Sequence, residues 1–170
     1  MTLIAETKQL RIRKFNEADA GFIFNLLNSP RWLKFIGDRN IKTLEDARLY
    51  IANGPLFSYL KFGFGPYLVE LKDSALAIGM CSLIKRDVLK DPDLGFAFLT
   101  EHEGKGYGTE ASRAVIEFAK NTLELKKLSA LTDTHNASSI TLLKKLNFIS
   151  SGTIKMPGEE EELLLFYLSL

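Results

Sequence analysis

Three alternating glycines, Gly104, Gly106 and Gly108, follow an apolar run that begins at Asp93. Apolar residues then recur at the spacing of one helical face: Ala111, Ala114, Val115, Phe118 and Ala119. The order strand, glycine-rich turn and helix points several free backbone N–H groups and the positive end of a helix dipole at one place. The spacing therefore predicts a binding site for a phosphate or pyrophosphate group.

Two common phosphate-binding motifs do not fit this loop. A P-loop needs a longer glycine spacing that ends in Lys-Ser or Lys-Thr. A dinucleotide fingerprint would place its third glycine where Thr109 stands, and it would follow the first strand of a βαβ unit. On composition alone, the alternative to an anion site is a flexible turn before a helix.

A second polar segment, residues 133–148, follows the next predicted strand and places Asn136 and Ser139 at the start of a helix. Together the two stretches resemble the GNAT family of acyl-CoA-dependent N-acyltransferases. In that family an (Arg/Gln)-x-x-Gly-x-(Gly/Ala) loop holds the coenzyme A pyrophosphate, and the matching loop here is EGKGYG at 103–108. The stretch 93–111 is most similar to the branch that contains ribosomal-protein N-terminal alanine and serine acetyltransferases.

The resemblance implies acetyl-CoA as the cofactor and no metal. The pyrophosphate would lie on the backbone amides of Gly104 to Thr109. The pantetheine arm would pair with the main chain of Phe96 to Phe98, where an amide could also polarise the thioester carbonyl. The cofactor-binding residues implied in this way are Phe96, Ala97, Phe98, Glu103, Gly104, Lys105, Gly106, Tyr107, Gly108, Thr109, Asn136 and Ser139.

Two residues are implied in the chemistry of acyl transfer. Ser139 matches a hydroxyl that can protonate the departing sulfur; the alternative is a serine that only caps its helix or bonds the pantetheine. Asp93 matches an acidic residue at the start of the family's fourth strand and is the candidate base, acting through water or after partial burial. The alternative for Asp93 is a loop-end aspartate that faces water. His102 and His135 are both predicted to be solvated loop residues.

Three positions depart from the family pattern. Glu103 stands where many members have Arg or Gln, which places a negative charge beside the pyrophosphate, and Lys105 could offset that charge. Leu143 occupies the place of a tyrosine acid, which shifts the protonation of the leaving group to Ser139. Asn147 replaces a glycine, and asparagine tolerates a left-handed backbone.

The acceptor is expected to be a primary amine: first a protein N-terminus, second a small amine or an amino-acid derivative. By resemblance its site is walled by the early helices, the loop at 63–66 and the turn before the last strand. Candidate residues there are Trp32, Phe35, Ile36, Asp38, Arg39, Tyr59 and Phe64. Glu159 to Glu162 either attract a cationic amine or form a solvated turn. The alternative function is a non-catalytic acyl-CoA-binding regulatory module.

The elements that must position these residues alternate between helical and strand patterns. The predicted order is strand, helices, three strands, helix, strand, helix and two strands, which packs as one α/β domain over all 170 residues. A GNAT-like domain would have a mixed, twisted sheet of six to seven strands flanked by about four helices. Asn16 with Asp19 and Thr43 with Asp46 are predicted helix caps, and Pro30 is predicted to close the first helix.

Composition limits the partners of the chain. It is 46% hydrophobic and 25% charged with a net charge of +1, so neither nucleic acid nor a membrane surface is expected to attract it. No apolar run reaches the length of a membrane span, and no secretory signal is expected, because the first ten residues lack the basic start and long apolar region of one. The single cysteine, Cys81, excludes an internal disulfide and is predicted to be buried filler. A cytoplasmic monomer or homodimer is expected.

Overall fold

The computed structural model describes residues 2–170 as one mixed sheet of eight strands with helices on both faces. The strands are β1 (Leu3–Glu6), β2 (Leu10–Lys14), β3 (Pro66–Leu71), β4 (Ala77–Ile84), β5 (Asp93–Phe98), β6 (Lys127–Asp133), β7 (Ile149–Lys155) and β8 (Glu162–Ser169). The helices are α1 (Ala20–Leu27), α2 (Pro30–Phe35), α3 (Leu44–Ile51), α4 (Phe57–Phe62), α5 (Tyr107–Asn121) and α6 (Ala137–Lys145). None of the helices within residues 2–170 is both long and apolar enough to cross a membrane.

The strand order across the sheet is β1-β2-β3-β4-β5-β6-β8-β7. Among the strands of residues 2–170 only β5 and β6 run parallel, and they pair at a single position, Asp93 with Ser129, before they part. The mixed sheet predicted from the sequence is confirmed, with one strand more than the upper count of seven. The additional strand is β1, which pairs antiparallel with β2. Its four residues are too few to show a period of two, so no strand pattern is visible there in the sequence.

Two apolar clusters lie on opposite faces of the sheet. Helices α5 and α6 pack over Leu94 and Phe98 of β5, together with residues of the neighbouring strands. Helices α1 to α3 cover the other face, where Met80 of β4 is buried and Ala97 of β5 packs against the same cluster. Since side chains alternate along a strand, Asp93 lies on the same face of β5 as Ala97.

Both predicted cap pairs are confirmed as capping boxes. The Asn16 side chain accepts from Ala18 N at 2.9 Å and begins a short 3-10 turn that continues into α1. The Thr43 hydroxyl accepts from Asp46 N at 3.1 Å and begins α3. These caps fix where the two longer helices over the second face begin.

Helix α1 ends at Leu27, three residues before Pro30, as the sequence predicts. Pro30 also begins the next helix, α2, because the first helical position needs no N–H donor. A π turn (Ala52–Leu56) carries Gly54 and Pro55 and joins α3 to α4 without a break. The early helices therefore comprise α1, the short α2, and one rod made of α3 and α4.

Candidate active site

A cleft of about 690 Å³ lies where β5 and β6 part. Its walls come from β5 and β6, the glycine loop, the start of α6, and α2 with part of β4. The sequence-predicted site residues that line it are Asp93, Phe96, Ala97, Phe98, Glu103, Gly104, Gly106, Gly108, Thr109, Asn136 and Ser139. Two predicted residues do not: Lys105 is exposed, and the Tyr107 side chain packs against the core under α5.

The edge of β5 that faces β6 is open beyond the first pair of residues. Leu99 N donates to Ile78 O of the β4 side at 3.0 Å, so the peptide groups of the alternate residues, Phe96 and Phe98, must point away from β4. They point toward β6, which has already parted from β5. Ala97 differs from its two neighbours, because its peptide groups face Met80 of β4. The main chain available to an extended ligand is thus that of Phe96 and Phe98.

Asp93 lies at the fork between the two strands and is only 2% exposed. Its Oδ2 accepts from Arg86 Nε at 2.7 Å, and its Oδ1 accepts from Leu131 N at 3.2 Å. Burial raises the pKa of this carboxyl, and the Arg86 guanidinium opposes the rise. Asp93 is therefore not a water-facing loop residue. Its side chain accepts the Leu131 N–H that a continued β5–β6 ladder would bond to the main chain of β5, and the residue also lines the cleft.

The glycine loop has the geometry of an anion site. Gly104 and Gly106 have φ of 71° and 86°, a left-handed backbone that other residues adopt only at a cost. Helix α5 begins at Tyr107, four residues before Ala111, the first residue of the predicted helical face. Its N-cap, Gly106, has no side chain that could accept from the first N–H groups of the helix. The loop therefore presents free donors at the N-terminus of a helix of 15 residues.

Gly108 sets how closely the loop approaches the rest of the cleft. A Cβ built there would lie 2.9 Å from Leu142 Cδ1 of α6 and 3.6 Å from the Phe98 ring. The absence of a side chain at Gly108 lets α5, α6 and β5 meet at one point. The two predicted motifs, distant in sequence, are thus brought together in the structure.

The start of α6 matches its prediction. Asn136 Oδ1 accepts from Ser139 N at 3.2 Å, which confirms the cap, and it also accepts from the Ser138 hydroxyl at 3.0 Å. The Ser139 hydroxyl lines the cleft and has no hydrogen-bond partner within residues 2–170. Leu143 is buried in the same wall, and Asn147 has the left-handed φ of 65° that its replacement of glycine predicts.

Arg31 of α2 is a cleft residue that the sequence reasoning missed. Its Nε lies 2.9 Å from Glu103 Oε1, and its Nη2 donates to the Ser138 hydroxyl at 2.7 Å. Burial raises the pKa of Glu103, and the charge of Arg31 opposes the rise. No local motif marks Arg31, because its partners are separated from it by about half the chain.

Of the seven residues predicted for the acceptor-side wall, four line the cleft, namely Trp32, Phe35, Ile36 and Arg39. The other three, Asp38, Tyr59 and Phe64, do not line the cleft. The Tyr59 hydroxyl instead forms hydrogen bonds with Phe15 N and Pro66 O. Within the loop at 63–66, Pro66 is the one residue that lines the cleft. The glutamates at 159–162 also lie outside it.

The two histidines and the cysteine lie in different environments. His102 is half-buried and lines the cleft, contrary to its prediction as a solvated residue, whereas the His135 side chain is 87% exposed as predicted. Cys81 is fully buried against Ser112 on the α5 face, and burial raises its pKa to about 12. The thiol therefore stays protonated and serves as packing.

Fold and site together are those of an α/β acyl-transfer enzyme, with a forked parallel strand pair beside a glycine-rich helix N-terminus. The family model described as an acetyltransferase (GNAT) domain matches residues 9–149, and the chain belongs to that family. It is an acetyltransferase, as the resemblance between the two sequence motifs and the family predicts.

Relatives and solved structures agree with this assignment. The chain is 26% identical over 149 residues to the uncharacterized N-acetyltransferase YnaD of Bacillus subtilis, covering 88% of this chain and 84% of that protein. Its fold is similar to the ribosomal-protein-S5-alanine acetyltransferase of Vibrio fischeri, with a TM-score of 0.80, 22% identity and coverage of 97% and 95%. It is also similar in fold to an acetyltransferase from Salmonella typhimurium described as modifying the N-terminal serine of ribosomal protein L7/L12, with a TM-score of 0.82, 13% identity and 99% of each chain covered.

The glycine loop gives a prediction with a matched control. Gly106→Ala and Gly158→Ala both place a Cβ at a φ near 80° with nothing within 4 Å, so each is expected to lower stability by about 1–2 kcal/mol. Only Gly106 lies in the cleft. Gly106→Ala is therefore expected to weaken coenzyme A binding about tenfold, whereas Gly158→Ala leaves it unchanged. Calorimetric titration and thermal unfolding measure both effects; equal affinities in the two variants would contradict a role for the loop.

Proposed function

We propose that this chain transfers the acetyl group of acetyl-CoA directly to a primary amine, with Asp93 and Ser139 as the residues that move protons. The observation that carries the proposal is the open peptide edge of β5 at Phe96 and Phe98, which lies between an anion-binding loop and an unpartnered serine hydroxyl. This combination can hold a long ligand that has a phosphate at one end and a reactive carbonyl at the other.

The residues present fit acetyl-CoA at three points. The N–H groups at the start of α5 and the open Gly104–Gly108 loop can receive a diphosphate. The free N–H and C=O groups of Phe96 and Phe98 can pair with the two amides of a pantetheine arm, as an added strand would. Asn136 and Ser139 line the other side of the cleft. When bound, acetyl-CoA supplies an activated thioester.

Main-chain donors of β5 can stabilise the charge that develops on the carbonyl oxygen. The N–H groups of Phe96 and Phe98 face the cleft and are fixed by the β4–β5 ladder, so little reorganisation is needed when charge forms there. Ser139 can give its hydroxyl proton to the sulfur as the carbon–sulfur bond breaks and the carbon–nitrogen bond forms, while the serine oxygen takes a proton from water in the cleft. That water is restored by the proton that the amine loses. These roles need no covalent intermediate on the protein.

Asp93 can take the proton that the amine loses. Its carboxylate lines the cleft, and each oxygen keeps a second lone pair beyond the bonds to Arg86 and Leu131 N. We propose that it acts through a water molecule, because Asp93 is only 2% exposed and a bulky amine could not reach it directly. A pKa raised by burial makes the carboxylate a stronger base than an exposed aspartate.

For the acceptor we propose a protein N-terminal amine first, and a small amine or amino-acid derivative second. The acceptor-side wall is apolar and aromatic at Trp32, Phe35 and Ile36, with Arg39 exposed at its margin. The fold likeness to ribosomal-protein acetyltransferases supports the first choice, while the wall itself would also fit a small amine that carries an apolar group.

A non-catalytic acyl-CoA-binding module is the second candidate. It is favoured by one observation: Leu143 is buried in the cleft wall where many relatives have a tyrosine acid, so Ser139 is left as the hydroxyl for the leaving group. The negative charge of Glu103 does not add support for this candidate, because Arg31 pairs with it.

Release of free thiol from acetyl-CoA in the presence of an amine panel tests the proposal. The panel contains short peptides with N-terminal Ala or Ser and small amines, with N-acetylated peptides as controls. We expect thiol release with at least one free amine, and a rise in melting temperature with coenzyme A alone. A rise in melting temperature without release from any acceptor would favour the binding module, and the absence of both would contradict each candidate.

A further inference from the structure

Glu103 places a carboxylate at the head of the glycine loop, next to the donors that an anion would use. The side chains of Glu103 and Arg31 are about one-third exposed, at 31% and 38%. An ion pair at this exposure is screened and contributes little to stability, so a stronger anionic partner can replace one member. The loop alone does not supply a fixed cation, since Lys105 is exposed and does not line the cleft.

The Arg31 guanidinium is held between the two helix starts that border the cleft. Its Nε reaches Glu103 at the loop before α5, and its Nη2 lies 2.7 Å from the Ser138 hydroxyl and 3.4 Å from Asn136 Oδ1 at the start of α6. The guanidinium also lies over the Phe35 ring, 5.1 Å from its centroid, in a cation–π contact. A charged group is therefore aimed at the loop from a third element, α2.

We propose that Arg31 supplies the positive charge for the diphosphate of coenzyme A and exchanges Glu103 for the phosphate oxygens when the ligand binds. The inference rests on the proposed function, since it requires the diphosphate to lie on the glycine loop. Arginine binds phosphate oxygens with two parallel N–H bonds, which are stronger than its single contact with Glu103. Many relatives have an arginine in the loop itself, at the position of Glu103. In this chain Arg31 of α2 provides that positive charge instead.

Three variants and two ligands test the proposal: Arg31→Met, Glu103→Gln and the double variant, each titrated calorimetrically with coenzyme A and with pantetheine, which lacks the diphosphate. Arg31→Met is expected to weaken coenzyme A binding about tenfold and to leave pantetheine binding unchanged. Glu103→Gln is expected to tighten coenzyme A binding several-fold, because it removes a negative charge and releases Arg31. The salt dependence of coenzyme A binding should decrease in Arg31→Met.

The exposed pair of Arg48 with Glu45 on α3 provides the matched control. Arg48→Met and Glu45→Gln change the net charge equally but lie outside the cleft, and they are expected to leave both affinities unchanged. Unchanged coenzyme A affinity in Arg31→Met would overturn the proposal. If Arg31→Met and Glu103→Gln both bind coenzyme A and pantetheine more weakly, the proposal would also be overturned. The ion pair would then only stabilise the structure of the cleft. If the wild-type protein binds coenzyme A but the variants do not behave as expected, only the proposal for Arg31 fails and the proposed function still stands. If the wild-type protein does not bind coenzyme A, both proposals fail.

Discussion

Asp93→Asn is expected to lower kcat/KM about 10²- to 10⁴-fold, the range that general base catalysis typically contributes. Asparagine has nearly the same shape and can still accept from Leu131 N, so the fork between β5 and β6 should persist. The lost function is the ability to receive a proton. The measurement is the pH dependence of kcat/KM for thiol release, with circular dichroism and thermal unfolding to confirm that the variant folds.

The sign of the pH effect follows from the environment of Asp93. Burial raises the pKa of the carboxyl, so the wild-type rate should rise with pH through a limb above the ordinary aspartate range, and Asp93→Asn should lack this limb. Arg86→Met removes the charge that opposes the rise, so its limb should move to higher pH. A limb that persists in Asp93→Asn, or that does not move in Arg86→Met, would exclude Asp93 as the base and assign it to holding the fork.

Local signals in the sequence predicted the parts of the site that depend on neighbouring residues. The capping boxes at Asn16 and Thr43, the N-cap at Asn136 and the left-handed Asn147 are all confirmed, because each depends on backbone donors within a few residues. The glycine loop was recognised for the same reason. Pro30 marks two boundaries, of which the sequence reasoning predicted only the end of α1, because a proline also suits the first position of the next helix.

Features that depend on tertiary packing could not be predicted from one sequence. The pairing of Arg31 with Glu103 joins residues on different elements, and no spacing relates them. The burial of Asp93 depends on how β6 parts from β5, so its sequence position alone left both a base and a water-facing residue open. The assignment of acceptor residues failed at Tyr59 for a similar reason, since its hydroxyl is used by the backbone of neighbouring strands.

Asp93 shows how structural and chemical roles coincide at one residue. Its carboxylate satisfies Leu131 N, which would otherwise lose its ladder partner as the strands part, and so it helps to hold the cleft open. The burial that this role requires also raises the pKa of the carboxyl. The opening of the β5 edge and the basicity of Asp93 therefore have a common cause, the divergence of one strand pair.

Ser139→Ala is expected to lower kcat about 10²-fold while coenzyme A affinity changes less than twofold. The helix cap should survive, because Asn136 accepts from the backbone N of residue 139 and not from its hydroxyl. Ser138→Ala is the matched control: its hydroxyl is already bonded to Arg31 and Asn136, so its removal should alter kcat little. Steady-state kinetics and calorimetric titration of both variants measure these effects.

The leaving group distinguishes proton donation by Ser139 from a binding role. If Ser139 protonates the departing sulfur, the defect of Ser139→Ala should shrink when the acyl donor carries a more acidic thiol, because such a sulfur leaves without a proton. Ser139→Thr keeps a hydroxyl at the same position and should retain more activity than the alanine variant. Weaker coenzyme A binding at unchanged kcat would instead make the hydroxyl a partner of the pantetheine arm. Leu143 offers no proton in this wall, so solvent would then have to protonate the leaving sulfur. In that case the rates of the wild-type enzyme and of Ser139→Ala should depend equally steeply on the pKa of the leaving thiol.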